Sequence, residues 1–326
     1  MTRKLSETLY VGADLGGNKL KVALVDSEGC IVTQNNIPTE VKDVQGLIDQ
    51  VTSAIQAIVD NVKEGSVTAV GVGLPGLINR NQNKVEIFPK LHDVAEYDVI
   101  GEIKRRLAPL PVIFDNDANM AAYGEFVIGS ARGKQSVFYV TIGTGIGAGI
   151  ILDGQVWRGA TGFAGEFGHM TINPEGLDCT CGSFGCLETV ASAPNIVRRA
   201  RERLFRDSTS SLSKLGLRRG EFTSEDIAKA AAQGDELAQL IIERTGMYLG
   251  VAIANVVNLL NVEMVVLGGG VMGAGNLLLK PTVEEVRRRA FRPAFAACQF
   301  VIAELGQNGG VVGSAMRARD AAGKSS

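Results

Sequence analysis

The chain has 326 residues, of which 45% are hydrophobic and 21% charged, and its 33 Lys and Arg are balanced by 35 Asp and Glu. This length suffices for two domains, and the near-neutral charge argues against a large basic surface for nucleic acid. No apolar run reaches the roughly 20 residues that cross a bilayer, and segment 1–10 lacks a secretory signal, so a cytoplasmic protein is expected.

The first part of the chain is predicted to be a strand meander followed by alternating helices and strands. Short β-branched and apolar blocks are separated by Gly-Gly-Asn and Asp-Ser-Glu-Gly turns, and apolar residues then recur at helical spacing. The predicted elements are strands at 8–15, 19–26 and 30–36, a helix at 44–62, a strand at 67–72, a helix at 99–107, a strand at 111–114 and a helix at 118–128.

The second part begins with another hairpin, so the meander recurs, and is then mostly helical. Its predicted elements are strands at 136–142 and 147–152, helices at 189–205, 224–233 and 236–260, a strand at 262–267, a helix at 277–290, a strand at 299–303 and a helix at 310–320. Segment 206–220 is predicted to be a loop and 321–326 a frayed tail. The recurrence predicts two related α/β domains with a cleft between them.

Glycine-rich turns follow the first strand of each meander, at 14–18 and 141–147. Consecutive backbone N–H groups of such turns can converge on an anion, so the two turns together could clamp a polyphosphate. Each turn alone is equally well explained by the backbone demands of a tight hairpin. Asp14 adds a hard oxygen ligand for Mg²⁺. Gly268-Gly269-Gly270 ends a buried strand and suits a base or ribose, although packing alone also explains it.

A candidate metal site is formed by the spacing H-x9-C-x-C-x4-C, which comprises His169, Cys179, Cys181 and Cys186. Three thiolates and one imidazole complete a tetrahedral Zn²⁺ shell and leave no position for a reactive water, so the predicted zinc is structural. Three clustered thiols cannot pair completely as disulfides. The alternative is a group of free thiols beside an unrelated histidine.

Polar side chains at 115–119 join a predicted strand to a helix, where α/β proteins place ligand sites. Asp115 or Asp117 could serve only as a helix N-cap, but the whole polar run favours a functional role for Asp117. Glu166 precedes His169 by three residues and Glu188 follows Cys186 by two, so the metal loop is expected to hold both carboxylates near each other. Such a pair suits adjacent sugar hydroxyls, and either residue could instead be a solvated surface group.

Taken together, these motifs resemble the ROK sugar kinases, within the larger actin-like ATPase and sugar kinase (ribonuclease H-like) fold. The resemblance runs from about Tyr10 to the C-terminal helix, and bacterial glucokinases are the closest in appearance. Its most specific part is the zinc signature with Glu-Phe-Gly-His ahead of it. It implies two α/β domains with an interdomain cleft, the smaller at 1–117 joined by the C-terminal helix at about 307–326, and the larger at 118–306 carrying the zinc loop.

The resemblance also implies roles for individual residues. Asp117 would be the base for the acceptor hydroxyl, and His169 would use one ring nitrogen for zinc and the other for a sugar hydroxyl. The implied sugar-binding residues are Asn116, Asp117, Glu166, His169 and Glu188. The implied nucleotide-binding residues are Asp14, Gly16, Gly17, Asn18, Lys19, Thr141, Gly143, Thr144, Gly145, Gly268, Gly269 and Gly270.

The implied reaction is ATP-dependent phosphorylation of a hexose at its primary hydroxyl, with glucose as the first expectation and Mg²⁺ accompanying ATP. The alternatives are a kinase for N-acetylmannosamine, fructose or allose, with polyphosphate as another conceivable donor. A homodimer is expected, without nucleic acid or membrane partners. The family also includes sugar-responsive repressors with an N-terminal helix-turn-helix, for which the first strand at about Thr8 leaves no room.

Three positions depart from the family pattern. Asn18 stands where Thr usually follows Gly-Gly, so a hydroxyl contact is replaced by an amide or lost. Lys90 stands in place of an Asn in the segment 88–92, which puts the identity of the sugar in question. Ala148 replaces a frequent Gly directly after the second glycine-rich turn at 141–147, which resembles the family's second phosphate motif.

Overall fold

The structure is a computed structural model that describes residues 8–89, 91–205 and 209–323, with the backbone alone for 216–219. The described part of the chain forms two compact units. Unit 1 contains the described residues up to Gln135, together with Gly149–Gly165 and the residues from Ala303 onwards. Unit 2 contains Ser136–Ala148 and Glu166–Ile302. Lys90 lies outside the described residues.

The described residues form twelve strands, eleven α-helices and four short 3-10 helices. The strands are β1 (Thr8–Leu15), β2 (Lys19–Asp26), β3 (Ile31–Pro38), β4 (Ser66–Leu74), β5 (Leu77–Asn79), β6 (Lys84–Ile87), β7 (Val112–Asn116), β8 (Val137–Ile142), β9 (Ile146–Leu152), β10 (Gln155–Trp157), β11 (Met264–Gly268) and β12 (Gln299–Ile302). The helices are α1 (Val44–Val59), α2 (Val99–Arg106), α3 (Asp117–Val127), α4 (Glu188–Ala191), α5 (Ala193–Leu204), α6 (Ser211–Arg219), α7 (Ser224–Ala232), α8 (Glu236–Leu260), α9 (Asn276–Arg289), α10 (Arg292–Ala297) and α11 (Gly309–Ala322).

Unit 1 is built on a five-stranded sheet with the order β3-β2-β1-β4-β7. The first three strands form the predicted antiparallel meander, and β4 and β7 continue the sheet in parallel with β1. Both faces of β1 are covered, because Leu9 and Val11 join the apolar core of one face while Tyr10 joins that of the other. This alternation follows from the two-residue period of a strand.

The second face of this sheet is covered by α11, and two glycines allow the close approach. A Cβ atom on Gly12 would overlap the carbonyl oxygen of Val311, and one on Gly71 would overlap that of Ser314. Backbone therefore packs directly on backbone, which any larger residue would prevent.

The division into units differs from the expected boundary near Asp117, because α3 belongs to unit 1. A Cβ atom on Gly313 of α11 would overlap the carbonyl oxygen of Met120, so α3 and α11 are in backbone contact. The buried Glu125 carboxylate also accepts hydrogen bonds from the backbone N–H groups of Leu305 and Ser130, at 2.8 Å each. Distant segments thereby hold α3 in this unit.

The second sheet has the order β10-β9-β8-β11-β12, with β11 parallel to both β8 and β12, and the chain leaves unit 2 within β9. In unit 2, α8 packs on α9, where Gly246 lies against Pro281 and Gly250 against Glu285. By length and composition alone α8 could cross a membrane, but 61% of its most apolar 18-residue stretch is buried inside the protein, as in the core helix of a soluble protein.

Several predicted elements need correction. The predicted loop at 206–220 contains α6, whose start is stabilised from a distant segment: the Asp235 carboxylate accepts from the N–H of Ser211 at 2.6 Å. The predicted helix at 189–205 is divided into α4 and α5 by Ser192, which is extended (φ −73°, ψ 157°) and is the N-cap of α5, with Pro194 in the first turn of that helix. The tail predicted at 321–326 continues α11 to Ala322, and its last three residues lie outside the described part. The strands β5, β6 and β10 and helix α10 were not predicted.

Candidate active site and metal centre

The first glycine turn joins β1 to β2 in unit 1. It is closed by a hydrogen bond from the N–H of Gly16 to the carbonyl of Lys19 at 2.9 Å. Neither Gly16 nor Gly17 has a positive φ, and a Cβ atom on Gly17 would meet no atom within 4 Å. The backbone demands of a tight hairpin therefore do not explain Gly17, whereas the open space beside its α-carbon, which lets a ligand approach closely, does.

Asp14 ends β1 beside this turn. Its carboxylate lies against Gly310, where a side chain would displace it. Burial raises the pKa of Asp14 to about 6, opposed by the positive charge of Lys21. A cation at this position would favour the ionised carboxylate.

The strand-to-helix junction between β7 and α3 carries Asn116 and Asp117. Asn116, rather than either aspartate, is the N-cap: its side-chain oxygen accepts from the N–H groups of Ala118 at 2.9 Å and Asn119 at 3.3 Å. Its amide also donates to the carbonyl of Gly76 at 3.0 Å. Asp117 is therefore the first helical residue, at the end of α3 that favours negative charge.

An ion pair that the sequence analysis missed lies behind this junction. The buried Asp115 accepts from Nε of Arg158 at 2.7 Å and from the side-chain amide of Asn119 at 3.0 Å. It also accepts from the N–H of Asn116 at 2.9 Å. Asp115 was considered only as a cap, and no local signal connects it with Arg158, because 43 residues separate them.

The ends of three parallel strands bring these groups of unit 1 to one edge of the sheet. Asp14 pairs in register with Gly73 of β4, and Gly73 pairs with Asp115 of β7. Asn116 and Asp117 directly follow. The first glycine turn, beside Asp14, and the junction that carries the predicted base Asp117 therefore lie at the edge of the sheet where α/β folds bind ligands.

The second glycine turn joins β8 to β9 in unit 2, where the N–H of Gly143 donates to the carbonyl of Gly145 at 2.9 Å. A Cβ atom on Gly143 would meet nothing within 4 Å, whereas one on Gly145 would lie 2.7 Å from the Glu188 carboxylate. Glu188 accepts from the N–H of Ile146 at 2.7 Å. The turn thus positions Glu188, and open space lies beside the α-carbon of Gly143. Thr141 and Thr144 flank that glycine.

The third glycine segment, Gly268 to Gly270, has two different explanations. Gly269 has φ +87° and packs tightly against the backbone of Ile142, so its conformation and packing require glycine. Gly270 has no such φ and open space around it. Of these two glycines, Gly270 is therefore the one whose surroundings suit an approaching ligand.

The predicted metal ligands are brought together in unit 2. One ligand atom from each of His169, Cys179, Cys181 and Cys186 lies within 4.8 Å of the others. The distance from Nδ1 of His169 to Sγ of Cys179 is 3.6 Å, and that from Sγ of Cys181 to Sγ of Cys186 is 3.8 Å. Zn–S and Zn–N bonds of about 2.3 and 2.05 Å in a tetrahedron predict about 3.6 and 3.8 Å for these pairs. The four residues fit a tetrahedral zinc ion.

The charge balance of this cluster also favours a cation. Burial and the two neighbouring cysteines raise the pKa of the Cys186 thiol to about 12. Thiolates packed this closely repel one another unless a positive ion lies among them.

The two predicted sugar-binding carboxylates lie beside the metal cluster. Nε2 of His169, the nitrogen away from Cys179, is 4.0 Å from Oε2 of Glu166. Burial raises the pKa of Glu166, the charge of His169 opposes this, and the charge of Glu188 adds to it. The spacing between Nε2 and Oε2 is too long for a direct hydrogen bond and leaves room for a hydroxyl that bonds to both.

The sheet orders, the two glycine turns and the strand-to-helix aspartate define the sugar kinase class of the actin-like ATPase fold. The sequence model of the ROK family matches residues 10–321, and the chain belongs to the ROK family. It is 38% identical to a glucokinase of Halalkalibacterium halodurans over 95% of this chain and 94% of that protein.

Two further relatives show the range of the family. A ROK family glucokinase of Streptomyces griseus, solved with glucose and AMPPNP, has 34% identity and a TM-score of 0.85 and covers 96% of this chain and 99% of that one. The xylose repressor of Bacillus subtilis is 30% identical over 93% of this chain and 75% of that protein. Kinases and regulators therefore share the fold.

Proposed function

We propose that this protein transfers the γ-phosphoryl group of ATP to the primary hydroxyl of glucose, giving glucose 6-phosphate. Its similarity to glucokinases over nearly the whole chain supports the substrate pair. The observation that carries the proposal is the joint position of Asp14, Asn116 and Asp117 at the ends of β1 and β7, the two parallel strands on either side of β4. This edge presents a cation ligand and a base from one rigid sheet.

Asp117 acts as the general base in this proposal. The backbone holds it at the first position of α3, and the Asn116 cap and the ion pair of Asp115 with Arg158 fix the junction behind it. Phosphoryl transfer passes through a loose transition state, so orientation of the attacking hydroxyl matters more than strong proton abstraction. Asp117 orients that hydroxyl and accepts its proton as the bond to phosphorus forms.

The two glycine turns and Gly270 bind the nucleotide in this proposal. Gly17 and Gly143 leave open space through which phosphate oxygens approach the two turns, and Asp14 holds Mg²⁺ directly or through water. Asn18 donates an amide hydrogen where the family usually has a hydroxyl. Neighbouring Lys19, Thr144 and Thr141 complete the nucleotide contacts.

Zinc held by His169, Cys179, Cys181 and Cys186 has a structural role in this proposal. The bound ion supplies a rigid tetrahedral link that fixes the ring of His169. Because Nδ1 faces the cysteines, Nε2 carries the hydrogen and donates to a sugar hydroxyl. Glu166 and Glu188 accept hydrogen bonds from neighbouring hydroxyls of the same sugar, and Asn116 adds the free hydrogen of its amide.

The test of the catalytic assignment is the Asp117→Asn variant in a coupled assay with ATP and a panel of hexoses. We expect kcat to fall by about 10²–10⁴-fold, as for loss of a general base, with glucose binding retained in calorimetry. Asp153→Asn is a matched control, because Asp153 has φ +51°, a conformation that asparagine also adopts readily. Near-normal turnover by Asp117→Asn would refute the assignment.

The hexose panel also tests the sugar. Higher kcat/KM with N-acetylmannosamine, fructose or allose than with glucose would replace glucose while keeping the kinase proposal. Polyphosphate in place of ATP tests the donor in the same assay. We further propose that the protein is cytoplasmic and that it forms a homodimer. Light scattering of the purified protein tests the dimer through its molar mass.

A sugar-responsive regulator is the second candidate function, and its support is the 30% identity to the xylose repressor of B. subtilis. An electrophoretic mobility shift with genomic fragments, with and without sugar, distinguishes the two functions. Turnover without a shift supports the kinase, and a sugar-dependent shift without turnover supports the regulator.

A further inference from the structure

Unit 2 contains a cavity that the proposed reaction does not use. It lies between α5 and α8, and its volume of about 620 Å³ is within the range of small-molecule sites. Three arginines line it, Arg199, Arg203 and Arg244, together with the apolar side chains of Leu237 and Ile241. Charged donors and an apolar wall are thus present in one cavity.

Arg199 is the most enclosed of the three arginines. Its guanidinium lies 5.4 Å from the ring centre of Tyr248 and donates to Thr245 and to the carbonyl of Ile241. Its Nε–H is buried and has no acceptor among the residues that the structure describes. An enclosed cationic group whose donors are not all satisfied is unfavourable, so an anion bound nearby would stabilise it.

The cations of the cavity are not fully matched by carboxylates. Glu202 and Glu236 also line it, but Glu202 is paired with Arg198 at 2.7 Å. Within 8–89, 91–205 and 209–323, neither Arg203 nor Arg244 has a carboxylate at ion-pair distance. Burial lowers the pKa of Arg199 to about 10, and the nearby guanidinium of Arg244 acts in the same direction. The carboxylate of Glu202 acts in the opposite direction, and the Arg199 group stays cationic at neutral pH.

We propose that this cavity binds a small organic phosphate, which is a ligand separate from the substrates of the proposed reaction. The phosphate oxygens accept from the guanidinium groups of Arg203 and Arg244, and the organic part packs against Leu237 and Tyr248. A phosphomonoester fits better than a monocarboxylate, because its charge of nearly −2 and its three oxygens match several guanidinium groups.

Calorimetric titration of the full-length protein with phenyl phosphate tests the proposal. We expect one site per chain, no heat with phenol, and affinity lowered by about ten- to a hundred-fold in Arg203→Gln and in Arg244→Gln. Arg201→Gln is the matched control, since Arg201 lies on the same helix but packs over Phe222. It should bind phenyl phosphate like the wild type.

Each contrary result overturns the proposal in a recognisable way. Absence of heat, or unchanged affinity in both cavity variants, excludes the site. Displacement of phenyl phosphate by saturating AMPPNP assigns the heat to the nucleotide site instead. If phenyl phosphate gives no heat and Arg244→Gln halves the molar mass in light scattering, the cavity is an interface between two copies of the chain.

Discussion

Asp14→Asn is expected to stabilise the ligand-free protein while it impairs the kinase. The carboxyl has a pKa of 3.8 in the unfolded chain and about 6 in the folded protein. Between these values the folded state holds a proton that the unfolded chain has released, so stability falls as the pH rises. At about 1.36 kcal/mol per pKa unit, the carboxylate costs up to about 3 kcal/mol at pH 7. Because the side chain is half-buried, we expect a gain of about 1–3 kcal/mol in the variant.

Differential scanning calorimetry from pH 4 to pH 8, without nucleotide, measures this effect. The variant and the wild type should unfold at nearly the same temperature at pH 4. The variant should gain about 2–4 °C for each kcal/mol as the pH approaches 7. Asp49→Asn is the control, because Asp49 is exposed and paired with Arg106, and its loss should not raise the melting temperature. A variant less stable than the wild type at pH 7, or a difference independent of pH, would refute the reasoning.

Three further predictions concern the turns, the metal and the ion pair. Gly17→Ala should leave the melting temperature unchanged and raise the KM for ATP, whereas Gly12→Ala should lower the melting temperature because it forces β1 away from α11. Cys181→Ser should reduce the bound zinc measured by mass spectrometry and weaken glucose binding far more than nucleotide binding. Arg158→Met should destabilise the protein by about 3–5 kcal/mol in urea unfolding, because Asp115 is left as an unpaired buried charge.

The controls for these predictions are available in the same chain. Cys30→Ser, a change at an exposed thiol of unit 1, should keep the zinc content and the glucose affinity. Adding Asp115→Asn to Arg158→Met should recover part of the lost stability, since it removes the unpaired charge. Equal loss of glucose and nucleotide binding in Cys181→Ser would indicate general unfolding, and full stability in Arg158→Met would show that the ion pair contributes little.

The glycine-rich turns show what a local sequence pattern can predict about the site and what it cannot. Both hairpin turns could be located from their spacing, but the sequence could not distinguish backbone need from ligand approach. The structure separates Gly269, which requires its positive φ, from Gly17 and Gly270, which do not. Conformation and surrounding space are properties of the folded chain, so composition does not reveal them.

The N-cap of α3 is a second feature that the sequence predicts only in part. Polar residues at the end of β7 predicted a helix start and a ligand site, and α3 does start there. Which residue caps the helix depends on backbone angles, and Asn116 takes that position instead of an aspartate.

By itself the sequence determined the main strands and helices, the grouping of one histidine with three cysteines and the resemblance to ROK kinases. Apolar periodicity and ligand spacing act over a few residues, so they can be recognised along the chain. Only the tertiary structure decided that α3 packs on α11, that Asp115 pairs with Arg158, and that three arginines share a cavity. These contacts join segments distant in the chain, and their energies depend on burial and on the approach of backbone to backbone, which arise only when the chain folds.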